Sequence, residues 1–186
     1  MVPVTALWLP IVVSAAIVFV ASSVIHMVLG YHKSDYSTVP GEDDVQAALR
    51  KFNLPPGDYM LPCAQNAKDM QSQVFRDKLS RGPVAVMTVM PQGGMSMGRN
   101  LALWFVYCII SSLFAGYVAG VVLQRGTDYM LVFRIVGTVA FVGYALALWQ
   151  QSIWYQRSWG TTVRSTIDGL IYALLTAGTF GWLWPR

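Results

Sequence analysis

Four side chains set in apolar surroundings hold most of the chemistry open to this chain: Asp168, Arg164, His26 and Cys108. A carboxylate inside a hydrocarbon layer is costly, so it is paired, protonated or bound to a cation, and it usually faces the interior of a bundle. Arg164 stands four residues before Asp168, on the same face of a helix and within pairing distance. One outcome is an Arg164–Asp168 pair that anchors a helix near the headgroups, the arginine reaching water along its aliphatic stem. The other makes Asp168 a protonatable or cation-binding carboxylate, with His26 as a neighbour that titrates near neutrality. The spacing favours the anchoring pair, because Asp168 lies only about 10 Å below the start of its helix at about 1.5 Å per residue.

The remaining candidates are weaker. His26 and His32 are the two histidines of the chain, and a separation of six residues puts them on different faces of a continuous helix. They therefore make a poor ligand pair, and a bis-histidine haem is not expected. Met87, Met90, Met95 and Met97 present thioethers suited to Cu(I), but methionine is also a common apolar filler, and filler is the reading adopted. Gly93, Gly94 and Gly98 precede Arg99 without the G-K-[ST] ending of a phosphate loop. No G-x-S-x-G, H-E-x-x-H or C-x-x-C occurs, and nothing nominates a catalytic nucleophile. The expectation is a non-enzymatic protein with no metal and no cofactor.

The elements that position these residues are four apolar stretches, 4–29, 101–123, 130–149 and 161–184. Each is long enough to cross a hydrocarbon core about 30 Å thick as a helix. The seven tryptophans, Trp8, Trp104, Trp149, Trp154, Trp159, Trp182 and Trp184, fall near the ends of these stretches, where an indole suits the headgroup layer. The composition agrees: 55% hydrophobic and 12% charged, against roughly a quarter charged in a soluble domain. Residues 4–29 lack the basic leader and short apolar run of a signal peptide, so they read as a retained span. Cys63 and Cys108 lie at different depths and are not expected to pair.

Basic residues set the orientation. Lys33, Arg50, Lys51, Lys68, Arg76, Lys78, Arg81, Arg99, Arg157 and Arg164 fall on one face, whereas Arg125, Arg134 and Arg186 fall on the other. The positive-inside rule then puts residues 31–99 in the cytoplasm and both ends of the chain outside a bacterial-type inner membrane. On that topology His26, Tyr107, Cys108, Ser111, Ser112, Tyr144, Arg164 and Asp168 form an inner-leaflet polar layer. The net charge of +4 comes without a dense basic stripe, so the partners are the lipid bilayer and membrane protein, not nucleic acid.

The domains are a first transmembrane helix over 1–30, a cytoplasmic α/β cap over 31–99 and transmembrane helices two to four over 100–186. In the cap, acids Glu42, Asp43 and Asp44 lead and bases Arg50 and Lys51 trail, complementing a helix dipole over 42–52. A short strand is expected at 58–61, a second amphipathic helix over 67–79 and a buried strand or a membrane-hugging run over 84–90. So small a unit is expected to pack against the membrane, the inner surface of the spans or a partner, and reads first as a compact cap that orders the loop, with a partner-docking surface as the alternative. The fold class is an all-α membrane protein of four transmembrane helices carrying this small α/β insertion.

Helix packing leaves a strong pattern. Ser112, Gly116 and Gly120 recur every four residues in span 2, as do Gly169, Ala173, Ala177 and Gly181 in span 4. Small residues let backbones approach closely in lipid. The two faces are expected to meet each other within the bundle or to serve self-association. The leading functional expectation is an accessory, scaffold or assembly subunit of a membrane complex. The alternative is a small oligomeric proton- or cation-coupled transporter or channel subunit using the inner-leaflet layer.

Overall fold

The structure, a computed structural model, describes residues 1–93 and 96–186. Gly94 and Met95, which the sequence places in a chain break and in the methionine run, lie outside the described residues. Four helical segments are long and apolar enough to cross a membrane: Val4–Leu29, Met97–Val122, Tyr129–Tyr155 and Trp159–Leu183. The chain is a multi-pass, mostly helical protein carrying a two-stranded sheet. Two compact units divide it, one formed by Met1–Ser37 with Met97–Arg186 and the other by Thr38–Ser96. Residues 31–37, grouped with the cap by composition, thus fold with the spans.

In the first span a 3-10 turn, Val4–Leu7, leads into α1 (Trp8–Val24). Pro10 sits within the first turn of α1, where a backbone N–H has no helical partner to lose. The helix then widens into a π turn at Ile25–Leu29 and stops at Gly30, whose φ of +65° closes the C-terminus. A 3-10 turn, Tyr31–Asp35, folds back from that glycine. The other spans are α5 (Met97–Val122), α6 (Tyr129–Tyr144) and α8 (Trp159–Leu183). Asp128 caps α6 by accepting from the Met130 N–H at 2.9 Å. The third span is not the single helix expected: it breaks at Ala145, makes a 3-10 turn at Leu146–Leu148 and resumes as α7 (Trp149–Tyr155).

The helices form a ring in which α1 packs on α5 and α8, and α6 packs on the same two. Leu7, Val18, Val132, Val136 and Phe180 fill its centre, where the Ser14 hydroxyl donates to Ser112 at 3.0 Å. The two small-residue faces do not interlock along their length: Gly116 of span 2 lies against Phe180 of span 4, and the other small positions pack on different neighbours. Gly120 accepts from the Val2 N–H at 2.8 Å, so the chain ahead of α1 lies on α5. A Cβ on Gly116 would come within 3.0 Å of the Phe180 ring. On α8, Gly169 backs onto Ala145, Gly181 onto the Tyr129 ring, and Ala177 onto Gly137. These glycines permit the approach of α8 to the bend in the third span.

The second unit contains α2 (Glu42–Arg50), β1 (Gly57–Leu61), α3 (Ala67–Met70), α4 (Gln73–Arg81) and β2 (Ala85–Val89). The strands pair antiparallel, with Gly57 opposite Val89 and Leu61 opposite Ala85. The helix expected over 67–79 is two, because Ser72 turns the chain and caps α4 by accepting from the Phe75 N–H at 3.1 Å. Among the described residues of this unit only Pro62 is buried; Val45 and Leu49 on α2 and Phe52 in the turn after it stand exposed.

Candidate functional site

The turn at Gly30 decides the site. It ends the helix between the two histidines, so His32 folds back and lies flat against His26, with ring centroids 4.5 Å apart and planes 7° from parallel. The sequence expectation that they occupy different faces fails because it assumes a continuous helix. His26 stays in the π turn, its Nδ1 lying 3.0 Å from the Ser22 carbonyl. A carbonyl only accepts, so that nitrogen carries the proton and Nε2 keeps its lone pair in the neutral ring.

Arg164 and Asp168 do not pair with each other, which corrects the anchoring pair expected from their spacing. Arg164 donates through Nε and Nη2 to Oδ1 of Asp35, at 2.8 and 2.5 Å. Asp35 holds His32 with its other oxygen, Oδ2, 2.7 Å from Nδ1. Nε2 of His32 then faces Oδ2 of Asp168 at 2.8 Å. The result is a chain, Arg164–Asp35–His32–Asp168, that ties the end of the first span to the start of α8. Asp35 lies beyond the end of that span. Burial acts to raise its pKa, but the hydrogen bonds from His32 and Arg164 and their positive charge outweigh it. The carboxyl is held below its ordinary value of 3.8, so it is ionised at neutral pH and keeps the proton of His32 on Nδ1.

Asp168 is 3% exposed, and its second oxygen, Oδ1, has no hydrogen-bond partner among the described residues. It forms part of the wall of a cavity of about 790 Å³ that draws on all four spans. Ser22, Ser23, His26 and Met27 come from the first, Met97, Leu101, Trp104 and Tyr107 from α5, Tyr144 and Leu148 from the third, and Ser165, Asp168 and Tyr172 from α8. The lining is predominantly apolar. Trp104 turns into it and donates to the Ser22 hydroxyl at 2.7 Å. Tyr144 and Tyr172 meet edge to face at 5.6 Å; the Tyr144 hydroxyl lies beside the Cys108 thiol and the Ser111 hydroxyl, and the buried Tyr172 hydroxyl has no hydrogen-bond partner among the described residues. Two polar atoms that are orphaned among the described residues, Tyr172 Oη and Asp168 Oδ1, therefore belong to residues lining one cavity, although such groups are costly when left unpaired.

Of the predicted site residues, the structure brings Asp168, Arg164 and His26 into one cluster. Cys108 is fully buried and does not line the cavity, but its thiol lies against the hydroxyl of Tyr144, which does. His32 and Asp35 were missed, as was the aromatic wall. The signal for the first two was Gly30, a helix-ending residue set between the histidines. Two tryptophans turn inward, Trp104 into the cavity and Trp184 into a buried seat where its Nε1 donates to the Gln124 carbonyl at 2.9 Å. Met97 lines the cavity, while Met87 lies on β2 in the other unit. No protein-family model, curated protein or solved structure matches the chain.

Proposed function

We propose that the chain is a ligand-binding accessory subunit of a membrane complex, holding one lipophilic molecule with a hydroxyl or carbonyl head between its four spans. The observation that carries this is the cavity of about 790 Å³, apolar over most of its lining and drawn from all four spans, with Tyr172 and the buried Asp168 among its lining residues. Its volume is that of a small-molecule site, and such sites combine apolar walls with a few convergent polar groups. The head would accept from the Tyr144 and Tyr172 hydroxyls and meet Asp168, while the tail would lie along Met27, Leu101 and Leu148. In this reading the site lies toward the cytoplasmic face of a bacterial-type inner membrane, with residues 31–99 inside and both ends of the chain outside. The basic-residue asymmetry supports that orientation. A partner membrane protein would dock elsewhere than on the small-residue faces, which are occupied within the bundle.

Transport through the bundle is the weaker reading. The ionisable cluster gathers at one end, and toward the other the interior is closed by Leu7, Val132 and Phe180.

The test is mass spectrometry of the protein purified in mild detergent, together with its organic extract. One lipophile per chain is expected on the wild type and none on Leu101→Trp, which fills the cavity. Tyr172→Phe should release the lipophile without destabilising the protein, because the hydroxyl it deletes has no partner to lose. A wild-type protein that carries no stoichiometric lipophile, and takes up none from a total membrane extract, would defeat the reading.

A further inference from the structure

We infer that His26, His32 and Asp168 form a binding site for a divalent transition-metal ion of the Zn²⁺ class. One ring nitrogen from each histidine and a carboxylate oxygen of Asp168 lie within 4.8 Å of one another. Two imidazoles and one carboxylate are a donor set that such ions take, with a further position left open.

The supporting hydrogen bonds are those a metal-binding histidine needs. A ligating imidazole commonly donates its other N–H to a carbonyl or carboxylate, which fixes the tautomer and turns the lone pair toward the ion. Both rings have this. His26 Nδ1 faces the Ser22 carbonyl at 3.0 Å, and His32 Nδ1 faces the Asp35 carboxylate at 2.7 Å. In each ring the nitrogen left over is Nε2. Asp35 is in turn held by Arg164, so the His32 tautomer rests on an ion pair and not on a mobile side chain.

A second observation points the same way. His32 Nε2 and Asp168 Oδ2 stand 2.8 Å apart, and with the Nδ1 proton already committed these are two electron-rich atoms. They share either a proton or a cation. The other oxygen of Asp168, Oδ1, is buried and unpartnered, so the carboxylate has capacity beyond this one contact. Around an ion at about 2.1 Å from each donor, neighbouring ligand atoms of a tetrahedron stand about 3.4 Å apart. The 2.8 Å contact must therefore open slightly and the widest separation must close. His26 can supply that movement, being exposed at the end of the first span with one hydrogen bond within its own turn. Its exposure also gives an ion a way in.

A metal is read with Co²⁺ and Zn²⁺ alone and a lipophile by its mass, so failure of either reading is distinguishable from failure of the other. Purified full-length protein in detergent is titrated with Co²⁺, following visible d–d absorption, and the ion is then displaced with Zn²⁺. One saturable site per chain is expected. His26→Gln, which removes a ligand from an exposed turn, should weaken Co²⁺ binding by at least about 100-fold, beyond what loss of a supporting contact costs. Asp168→Asn should abolish the d–d spectrum. Cys63→Ser, which alters the exposed thiol of the other unit, should leave binding unchanged. Absence of saturable uptake by the wild type would overturn the inference. So would undiminished binding in His26→Gln, or loss of binding in Cys63→Ser alone, which would mark an adventitious surface site.

Discussion

Replacing Asp35 with asparagine tests the charge chain at its centre. Asp35 accepts from His32 Nδ1 and twice from Arg164, and its side chain is 8% exposed. The amide would keep the shape and one acceptor but discard the charge that holds both partners. Hydrogen bonds to a charged group contribute about 1.5–3 kcal/mol each, and breaking a fully buried pair costs about 3–5 kcal/mol. Arg164 is 28% exposed, so part of its charge rehydrates and the figure must be discounted toward that of an exposed pair, about 0–1 kcal/mol. The expected loss for Asp35→Asn is therefore about 2–3 kcal/mol, measured by SDS unfolding in mixed micelles. Combined with Arg164→Gln in a double-mutant cycle, it should show a coupling of about 1–2 kcal/mol. The pH dependence has a definite sign. The folded carboxyl titrates below its ordinary value of 3.8, so its contribution is fully present above that value and is lost as pH falls through the lower folded value. The gap between wild type and Asp35→Asn should be complete at neutral pH and close in acid below about pH 4. Additive single-mutant losses, or a gap that widens in acid, would refute the chain.

Two further outcomes test the packing and the topology. Gly169→Ala places a Cβ 2.8 Å from that of Ala145 and 3.2 Å from backbone, where neither neighbour can swing aside. It should cost about 1–3 kcal/mol in the same unfolding assay, whereas Gly98→Ala, whose Cβ meets nothing within 4 Å, should cost nothing. In intact cells a membrane-impermeant maleimide should spare native Cys63, which is exposed, and label Thr127→Cys; the opposite pattern would invert the proposed orientation.

The spans and the cap helix over 42–52 were legible because they rest on local regularities: apolar length, acids before bases, and apolar residues at helical spacing. The strands near 58–61 and 84–90 were legible as short apolar runs bounded by glycine and proline, but their antiparallel pairing was not, and the second is not buried as expected, its residues being half-buried or exposed. Where the reading failed, an interruption had intervened. A helical period carried through Gln71 and Ser72 gave one helix, but a serine that caps the next turn makes two. A period carried through Ala145 missed the bend, where Ala145 packs closely on Gly169 of another helix.

The site illustrates the same limit at the level of charge. Spacing within one helix identifies which partners are within reach, and Arg164 does lie within reach of Asp168. It does not identify which partner wins. Asp35 takes the arginine because it also holds His32, so one buried carboxylate satisfies a guanidinium and an imidazole N–H while Asp168 remains available to the histidine ring. That arrangement needs the chain to reverse after the first span, and only Gly30 allows it, by adopting a φ of +65° that a side chain would resist. A glycine between two histidines at the end of an apolar span is thus a sharper pointer than either histidine alone: it converts a six-residue separation that looks useless on a helix into a stacked pair facing a carboxylate.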